Sequence, residues 1–522
     1  MGTRAAVAGT TPAAGQGGAG RASRHRAQWV AVWVLVALTA AGYSVFALAR
    51  YRTFQTGSYD LVIFDQAVRS YAHFRPGISV IKGVHNGFGP HFSVLGDHWS
   101  PILAALAPLY WVFNGPQTLL VAQAVLFALA IPPLWMYTRR AFGGGQAAVV
   151  AAYLVSVVYL LSWPVASAVY FNFHEVAFAP VLTAVALERL QAGRLRTALI
   201  ALAALLLVKE DMGLLVAGIG LYLAVARPRA VPRQRLVAAA LIVAGIADTV
   251  VATYVLIPAF GGHSGYYWAY TALGSNAGQA LQHLITHPVS SLELLITPRV
   301  KLFTMLWLFG AFCFLPLFSP ISLAVIPLLL ERMLGSVFPN WWVTGFQYNA
   351  FLVVVLVCAA VDGAVRLDRS PLLTRWRRAP GARAGPVALA CAAVMCVLAV
   401  FLVPQFAFRH GLHRSYYRRD ARMNAAAAAV AAVPSGVMVE AVNRLGPQLS
   451  ARDTVLLWDG DGFSPLYPPW VVADAAKREF TFASRRQQVR RVASLRRSGY
   501  RVVFARDGYL VLHRSGAPQA AG

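Results

Sequence analysis

The sequence predicts a polytopic α-helical membrane protein with a C-terminal extracytoplasmic α/β domain. Of the 522 residues, 58% are hydrophobic and only 13% are charged, and the mean hydropathy is +0.57. A soluble protein of this length would carry charged side chains at roughly a quarter of its positions. Apolar runs of roughly 15 to 23 residues recur along most of the chain, which suits membrane-spanning helices.

We predict about 11 spans, at approximately 29–49, 116–138, 146–168, 176–190, 197–208, 212–226, 236–258, 301–318, 320–334, 348–366 and 386–404. Short cytoplasmic loops are enriched in Lys and Arg. The basic short loops all fall on the side of the N-terminal tail, and they contain Arg139, Arg140, Arg194, Arg196, Arg227, Arg229, Arg233, Arg235, Arg366, Arg369, Arg375, Arg377, Arg378 and Arg383. We therefore expect a multi-pass plasma-membrane protein with a cytoplasmic N terminus.

The same distribution explains the net charge of +26. We attribute this charge to residues that orient the protein in the membrane and contact lipid headgroups. Nucleic acid is not expected as a partner. The four cysteines, Cys313, Cys358, Cys391 and Cys396, all fall in apolar runs. Their spacing indicates neither a disulfide framework nor a zinc site, so they are interpreted as small core residues.

Three regions follow from this pattern. Residues 1–28 are expected to be a disordered basic cytoplasmic tail, and residues 29–404 the membrane domain, with long outer loops at 50–115 and 259–300. In residues 405–522 a helix, a short strand and another helix are expected first. Strand-like "DTVLLWD" and "PWVVAD" follow, and then a basic helix and two strands separated by "RDG". Helices that alternate with strands predict a small α/β domain.

The stretch "TGSYDLVIFDQAVRSYAH" places Asp60 and Asp65 just beyond the first span. Residues 61–73 fit an amphipathic helix, because Leu61, Phe64 and Val68 recur at helical spacing. Asp60 either caps this helix or takes part in chemistry. The two aspartates lie about 140° apart around a regular helix, so they are not expected to act as a pair on one face.

Other polar residues cluster at predicted outer ends of spans. The first loop contains "HNGFGPHFSVLGDHWSP", with His91 and His98, and its spacing matches no standard zinc motif. "FNFHEVAFAP" contributes His174 and Glu175. "LLLVKEDMGLL" contributes Lys209, Glu210 and Asp211, which form either an internal ion pair or a phosphate-binding group.

Carboxylates, histidines and a lysine thus reach one membrane boundary from different spans. An enzyme that uses a lipid-linked sugar needs this arrangement, since the lipid stays in the bilayer while its phosphate and sugar sit at the interface. A carboxylate would deprotonate or orient the acceptor hydroxyl. Cationic groups, or a divalent metal ion, would stabilise the departing phosphate.

"TGSYDLVIFDQAVRS", "DHWSPILAALAPLY", "FNFHEVAFAP", "LLLVKEDMGL" and the later "VPSGVMVEAVNRLGPQLSARDTVLLWD" resemble a prokaryotic family of predicted membrane proteins, domain of unknown function number twenty seventy-nine. The resemblance covers roughly residues 40–515. That family looks related to the GT-C glycosyltransferases, multi-span enzymes that use polyprenyl-phosphate sugars. GT-C relatives often carry an aromatic–His–Tyr element before a late span, where this chain has "FQYN" without a histidine.

By this resemblance the membrane domain is GT-C-like and Asp60 is the catalytic residue. The substrate-binding candidates are Asp65, His91, His98, His174, Glu175, Lys209, Glu210 and Asp211. The implied activity is transfer of a sugar from a polyprenyl-phosphate donor to a cell-envelope glycan or lipid on the outer face. Membrane lipids are expected as further partners. A lipid or glycan transporter, or a non-catalytic envelope assembly factor, are the alternatives.

Overall fold

A computed structural model of the protein describes residues 16–226, 231–371, 385–460 and 464–515. Within these ranges the chain is mainly helical. The helices are α1 Gln16–Arg52, α2 Ser58–Ala72, α3 Val80–His85, α4 Ala107–Val112, α5 Pro116–Ala128, α6 Ile131–Ala141, α7 Gly145–Leu161, α8 Trp163–Phe171, α9 Phe178–Gln191, α10 Leu195–Leu205, α11 Met212–Ala226, α12 Gln234–Val251, α13 Ile257–Ala259, α14 Ala277–Thr286, α15 Pro288–Leu294, α16 Val300–Gly310, α17 Ile326–Leu334, α18 Ala350–Asp368, α19 Pro386–Leu402, α20 Ala421–Ala431, α21 Gly446–Leu449 and α22 Arg485–Arg497.

Every predicted span overlaps at least one helix, although α16 ends at Gly310 within the predicted span 301–318 and α17 begins at Ile326 within the predicted span 320–334. In the described part of the chain, five helical segments are long and apolar enough to cross a membrane, or six if α7 and α8, which are bent by 41°, form one span. Four shorter apolar segments, which include α10, α11 and α16, accompany them. The prediction of several membrane helices is confirmed, and the count of about 11 stays a prediction.

Helix α18 lies at the centre of the helical bundle. In its most apolar window 83% of the residues are buried, compared with 22% in the segment of α12 and α13. Helices α11 and α12 pack closely, because a Cβ on Gly213 would lie 2.3 Å from the carbonyl oxygen of Gly245. Small residues allow such close contact between helices in membranes. The outward-facing α12 is thereby held against the bundle.

The helix expected at 61–73 is present as α2, which begins with a kink. Gly57 occupies its N-cap position, and Asp60 has the non-helical backbone angles φ 138° and ψ −66°. Asp60 thus does not occupy the capping position, the alternative that the sequence left open. Its side chain faces His174 instead.

The C-terminal region forms the α/β unit that the sequence predicts. Its strands are β1 Met438–Ala441, β2 Thr454–Leu457, β3 Trp470–Asp474, β4 Arg501–Arg506 and β5 Tyr509–His513. They form one sheet in the order β2-β1-β3-β5-β4. The pairs of β1 with β2 and β3 are parallel, whereas β5 pairs antiparallel with both β3 and β4.

This domain packs directly on the first loop. The Gln66 side chain in α2 donates to the Val455 carbonyl at 3.0 Å, and His85 Nδ1 lies 2.9 Å from Asp459 Oδ2. Segments in direct contact lie on the same side of a membrane. The ten spans predicted between residues 66 and 455 also place the two segments on one side, and the number of crossings stays a prediction.

Two earlier expectations concern regions that are only partly described. Helix α1 already includes residues 16–28, which the sequence assigns to a disordered tail, and residues 1–15 lie outside the described part. Several basic loop residues used to predict the orientation also lie outside it: Arg227, Arg229, Arg375, Arg377, Arg378 and Arg383.

Candidate active site

A cavity of about 1380 Å³ lies between the membrane helices, the first loop and the C-terminal domain. Seven of the nine predicted site residues line it: Asp60, His98, His174, Glu175, Lys209, Glu210 and Asp211. They arrive from the start of α2, the rest of the first loop, the turn between α8 and α9, and the turn between α10 and α11. The structure thus brings together segments that are far apart in sequence.

Asp60 and His174 face each other on the cavity wall. The Asp60 Oδ1 atom lies 3.6 Å from His174 Nε2, and the Asp60 side chain is 29% exposed. The imidazole stacks on Phe171 and meets Phe64 edge-on, both at a centroid distance of 5.4 Å. A non-glycine residue with a sparsely populated backbone conformation costs about 1–3 kcal/mol, and such residues cluster at functional sites. Asp60 combines this strain with an accessible carboxylate.

A second polar network connects the first loop with the "KED" turn. His98 Nδ1 lies 2.7 Å from Glu210 Oε1, and the backbone N–H of Trp99 donates to Glu210 Oε2 at 3.1 Å. The His98 ring stacks on Tyr267 at 4.8 Å. The Tyr267 hydroxyl donates to Asp97 Oδ1 at 2.6 Å. These contacts hold His98 between the "KED" turn and the segment that contains Tyr267.

Lys82 completes this network. Its Nζ lies 2.8 Å from Asp97 Oδ1 and 3.1 Å from the Tyr267 hydroxyl. Burial alone would lower the pKa of Lys82, but Asp97, Tyr59 and Tyr266 together outweigh burial and raise it. Burial would likewise raise the pKa of Asp97, and the charges of Lys82 and His98 instead lower it. Both partners are therefore ionised near neutral pH.

The histidine–glutamate contact is also an ion pair. Burial opposes the charge on His98, but Glu210 raises the pKa of this histidine above its ordinary value. Burial would raise the pKa of Glu210, whereas His98 and Lys209 together lower it to about 2. The cavity wall thus contains fixed charges of both signs.

Lys209 lies among carboxylates. Its Nζ is 3.4 Å from Asp211 Oδ2, and the side chain of Glu175 is buried nearby. Burial disfavours the ammonium, but Asp211, Glu210 and Glu175 raise the pKa of Lys209 well above its ordinary value. The Nζ atom also lies 5.8 Å from the centre of the Tyr348 ring. The lysine is a permanent positive charge next to an aromatic face.

Two predicted site residues do not line the cavity. Asp65 is fully buried and accepts hydrogen bonds from Arg69 and Tyr110, both at 2.8 Å, and from Ser450 in the C-terminal domain. It connects α2 with α4 and with that domain. His91 is exposed on the first loop.

Several cavity residues were missed by the sequence analysis: Lys82, Tyr267, Arg332, Tyr348 and Asn443. Tyr348 belongs to "FQYN", and the guanidinium of Arg332 lies 6.0 Å from the centre of its ring. The amino-acid composition does contain a signal for Lys82. Only four of the 46 lysines and arginines are lysines, and three of these, Lys82, Lys209 and Lys477, line the cavity.

The question of a metal ion was left open by the sequence. In the described part of the chain, no three or more His, Cys, Asp and Glu side chains are arranged so that they could hold one. Lysine and arginine side chains on the cavity wall are permanently cationic.

Fold and site together define a multi-helix membrane protein whose polar cavity is shared with an appended α/β domain. The chain belongs to the family described as "Predicted membrane protein (DUF2079)", whose model matches residues 50–511. This confirms the family resemblance seen in the sequence.

Among solved structures, the chain is similar to the crystal structure of ArnT from Cupriavidus metallidurans bound to undecaprenyl phosphate. The two share 14% identity over 94% of this chain and 99% of that chain, with a TM-score of 0.49. A search of curated protein sequences gives no match.

Proposed function

We propose that this protein is a GT-C-type membrane glycosyltransferase. It transfers a sugar from a polyprenyl-phosphate donor to a cell-envelope glycan or lipid on the outer face. The proposal rests on one observation: a single cavity combines the accessible carboxylate of Asp60, the cations Lys82 and Lys209, and an apolar wall. A lipid-linked sugar phosphate needs all three kinds of surface.

The apolar wall comes from α11, α12 and the helical turn after α12. Leu214, Val250, Tyr254 and Ile257 line the cavity there. Val250 and Tyr254 are also about half exposed. A polyprenyl chain can therefore follow this side of the cavity while most of it remains in the bilayer.

The proposed reaction is a displacement at the anomeric carbon. The acceptor oxygen forms a bond to this carbon, and its proton passes to the Asp60 carboxylate. The bond between the anomeric carbon and the phosphate oxygen breaks, and polyprenyl phosphate leaves. Lys209 stabilises the charge that develops on the phosphate, because a fixed cation next to the leaving group favours the more charged transition state.

A transporter is the rival from another class. Transporters place their polar groups near the middle of the membrane, between broken helices. Here Asp60, Glu175 and Lys209 all lie in turns or at helix ends. This location supports an enzyme that works at the membrane boundary.

Reconstituted protein distinguishes these functions. Purified protein in nanodiscs is incubated with polyprenyl-phosphate pentoses and hexoses that carry a tritium-labelled sugar, together with envelope lipids and glycans. We expect labelled product and released polyprenyl phosphate with the native chain, and neither with Asp60→Asn. Movement of the intact donor across vesicle membranes without covalent transfer would favour the transporter. Donor binding without transfer or transport would favour an assembly factor.

A further inference from the structure

We infer that Asn443 of the C-terminal domain is a positioning residue that holds the Asp60 carboxylate in its reactive orientation. This inference rests on the proposed function of Asp60. It assigns to the C-terminal domain a part in catalysis that does not require direct contact with the reacting atoms.

Three hydrogen bonds connect Asn443 to the two residues before Asp60. Its carbonyl oxygen accepts from the backbone N–H of Ser58 at 2.7 Å and from the Ser58 hydroxyl at 2.9 Å. Its side-chain oxygen Oδ1 accepts from the backbone N–H of Tyr59 at 3.0 Å. The main chain and the side chain of Asn443 thus both bind the start of α2.

These bonds replace a local helix cap. The first N–H groups of a helix have no partner within it, and a side chain at the N-cap position usually accepts from one of them. The N-cap of α2 is Gly57, which has no side chain. Asn443 therefore acts as the cap from another domain, and Asp60 is free to turn its carboxylate toward the cavity.

The contact between Asn443 and the start of α2 is so closely packed that the two segments cannot shift relative to each other. A Cβ on Gly57 would lie 2.9 Å from Asn443 Nδ2, and a Cβ on Gly446 would lie 2.0 Å from the Ser58 hydroxyl oxygen. Ser58 itself is fully buried. Strained backbone persists only where the surrounding structure over-determines it. The bonds and close packing around Asn443 supply this constraint for the φ angle of Asp60.

Three variants test the side-chain bond. Asn443→Leu is close in size and removes the acceptor for the Tyr59 N–H, whereas Asn443→Asp keeps an oxygen there. Gln448→Leu is the control, because the Gln448 side chain donates to the Tyr51 carbonyl at 2.5 Å and so joins the same domain to α1 instead of to the start of α2. A misplacement of about 1 Å can reduce turnover about 10²-fold.

In the labelled-sugar assay we expect kcat to fall about tenfold to 10²-fold in Asn443→Leu, while donor affinity stays unchanged. Gln448→Leu should remain within about threefold of the native rate, and Asn443→Asp, which keeps the acceptor oxygen, should retain clearly more activity than Asn443→Leu. In an Asp60→Asn background, Asn443→Leu should cause no further loss, since it acts through the carboxylate that is already absent. Should the leucine variant not fold, Asn443→Ser, which is too short to reach Tyr59, serves the same test.

Native turnover in Asn443→Leu, or an equal loss in Asn443→Asp, would overturn the inference. So would a further loss from Asn443→Leu in the Asp60→Asn background. The proposed function fails in a different way, by native turnover in Asp60→Asn. An inactive Asp60→Asn together with a fully active Asn443→Leu would leave the function standing and remove only the role of Asn443.

Discussion

His174 Nε2 lies 3.6 Å from Asp60 Oδ1, so the turn before α9 meets the strained start of α2 on the cavity wall. The aromatic rings of Phe64 and Phe171 hold the imidazole in place. A histidine beside a catalytic carboxylate can orient it and share the proton that it removes. This pair is where the proposed chemistry begins.

Asp60→Asn keeps the size of the side chain and removes its charge and basicity. We expect a loss of about 10²–10⁴ in kcat, the usual contribution of a general base. The melting temperature should not decrease, because Asp60 is partly exposed and does not cap α2. An Asp60→Asn protein that transfers labelled sugar at the native rate would contradict the assignment.

Asp65→Ala should act on stability instead. This fully buried carboxylate pairs with Arg69 and also binds Tyr110 and Ser450. Loss of one partner of a buried pair costs about 3–5 kcal/mol. We expect a clearly lower melting temperature in detergent. Asp507→Asn, which alters the exposed contact with Arg506, is the control and should change it little. Equal melting temperatures for the two variants would argue against a structural role of Asp65.

Lys209→Met keeps most of the apolar stem and deletes the charge. A charge-assisted hydrogen bond to phosphate is worth roughly 1.5–3 kcal/mol, so donor affinity should fall about tenfold to a hundredfold. Binding of polyprenyl phosphate and the melting temperature are measured on the same variant. A lower melting temperature with unchanged affinity would make Lys209 a structural partner of Asp211 only.

The pair of His98 and Glu210 should make stability depend on pH. The raised pKa of His98 contributes stability fully below its ordinary value of 6.5, and this is lost as pH rises through the folded-state pKa. The lowered pKa of Glu210 contributes stability above its ordinary value of 4.5, and this is lost as pH falls toward about 2. Both contributions are complete between pH 4.5 and 6.5.

We therefore expect Glu210→Gln to lower the melting temperature most between pH 4.5 and 6.5, and progressively less at higher pH. Glu293→Gln, at an exposed position in α15, is the matched control. A difference between native and Glu210→Gln protein that is independent of pH would rule out the ion pair.

The predicted orientation can be tested by cysteine labelling of intact cells. Arg375→Cys lies in a loop predicted to be cytoplasmic and should be protected from a membrane-impermeant reagent. Arg497→Cys is exposed on the C-terminal domain and should react. The native chain is the background control, since its four cysteines lie in apolar segments. Labelling at position 375 from outside would contradict the predicted topology.

The sequence predicts best those features that neighbouring residues determine. The elements of the C-terminal domain were predicted in the right order, because alternation and the "RDG" turn are local signals. Polar residues at the ends of spans also indicated the cavity, as seven of nine candidates line it. Asp65 does not line the cavity, because it follows Asp60 by five residues and its side chain therefore points toward Tyr110 and Ser450.

Features that depend on tertiary contacts could not be predicted in this way. Asn443 caps a helix that begins at Ser58, and no pattern near either residue reveals the partner. The backbone kink at Asp60 is likewise imposed by its surroundings. Lys82 looks like an ordinary loop residue until Asp97 and Tyr267 surround it. The scarcity of lysine was the one compositional sign that these positions differ.

The cap that Asn443 provides comes from a part of the chain that is synthesised late, which bears on when the proposed site can form. The start of α2 leaves the ribosome long before residue 443, and ten of the eleven predicted spans lie between them. A nascent chain with half its helices inserted has no cap for Ser58 and Tyr59, so Asp60 is not yet held toward the cavity. Under the proposed function, an unfinished chain would therefore not yet transfer sugar from a lipid-linked donor.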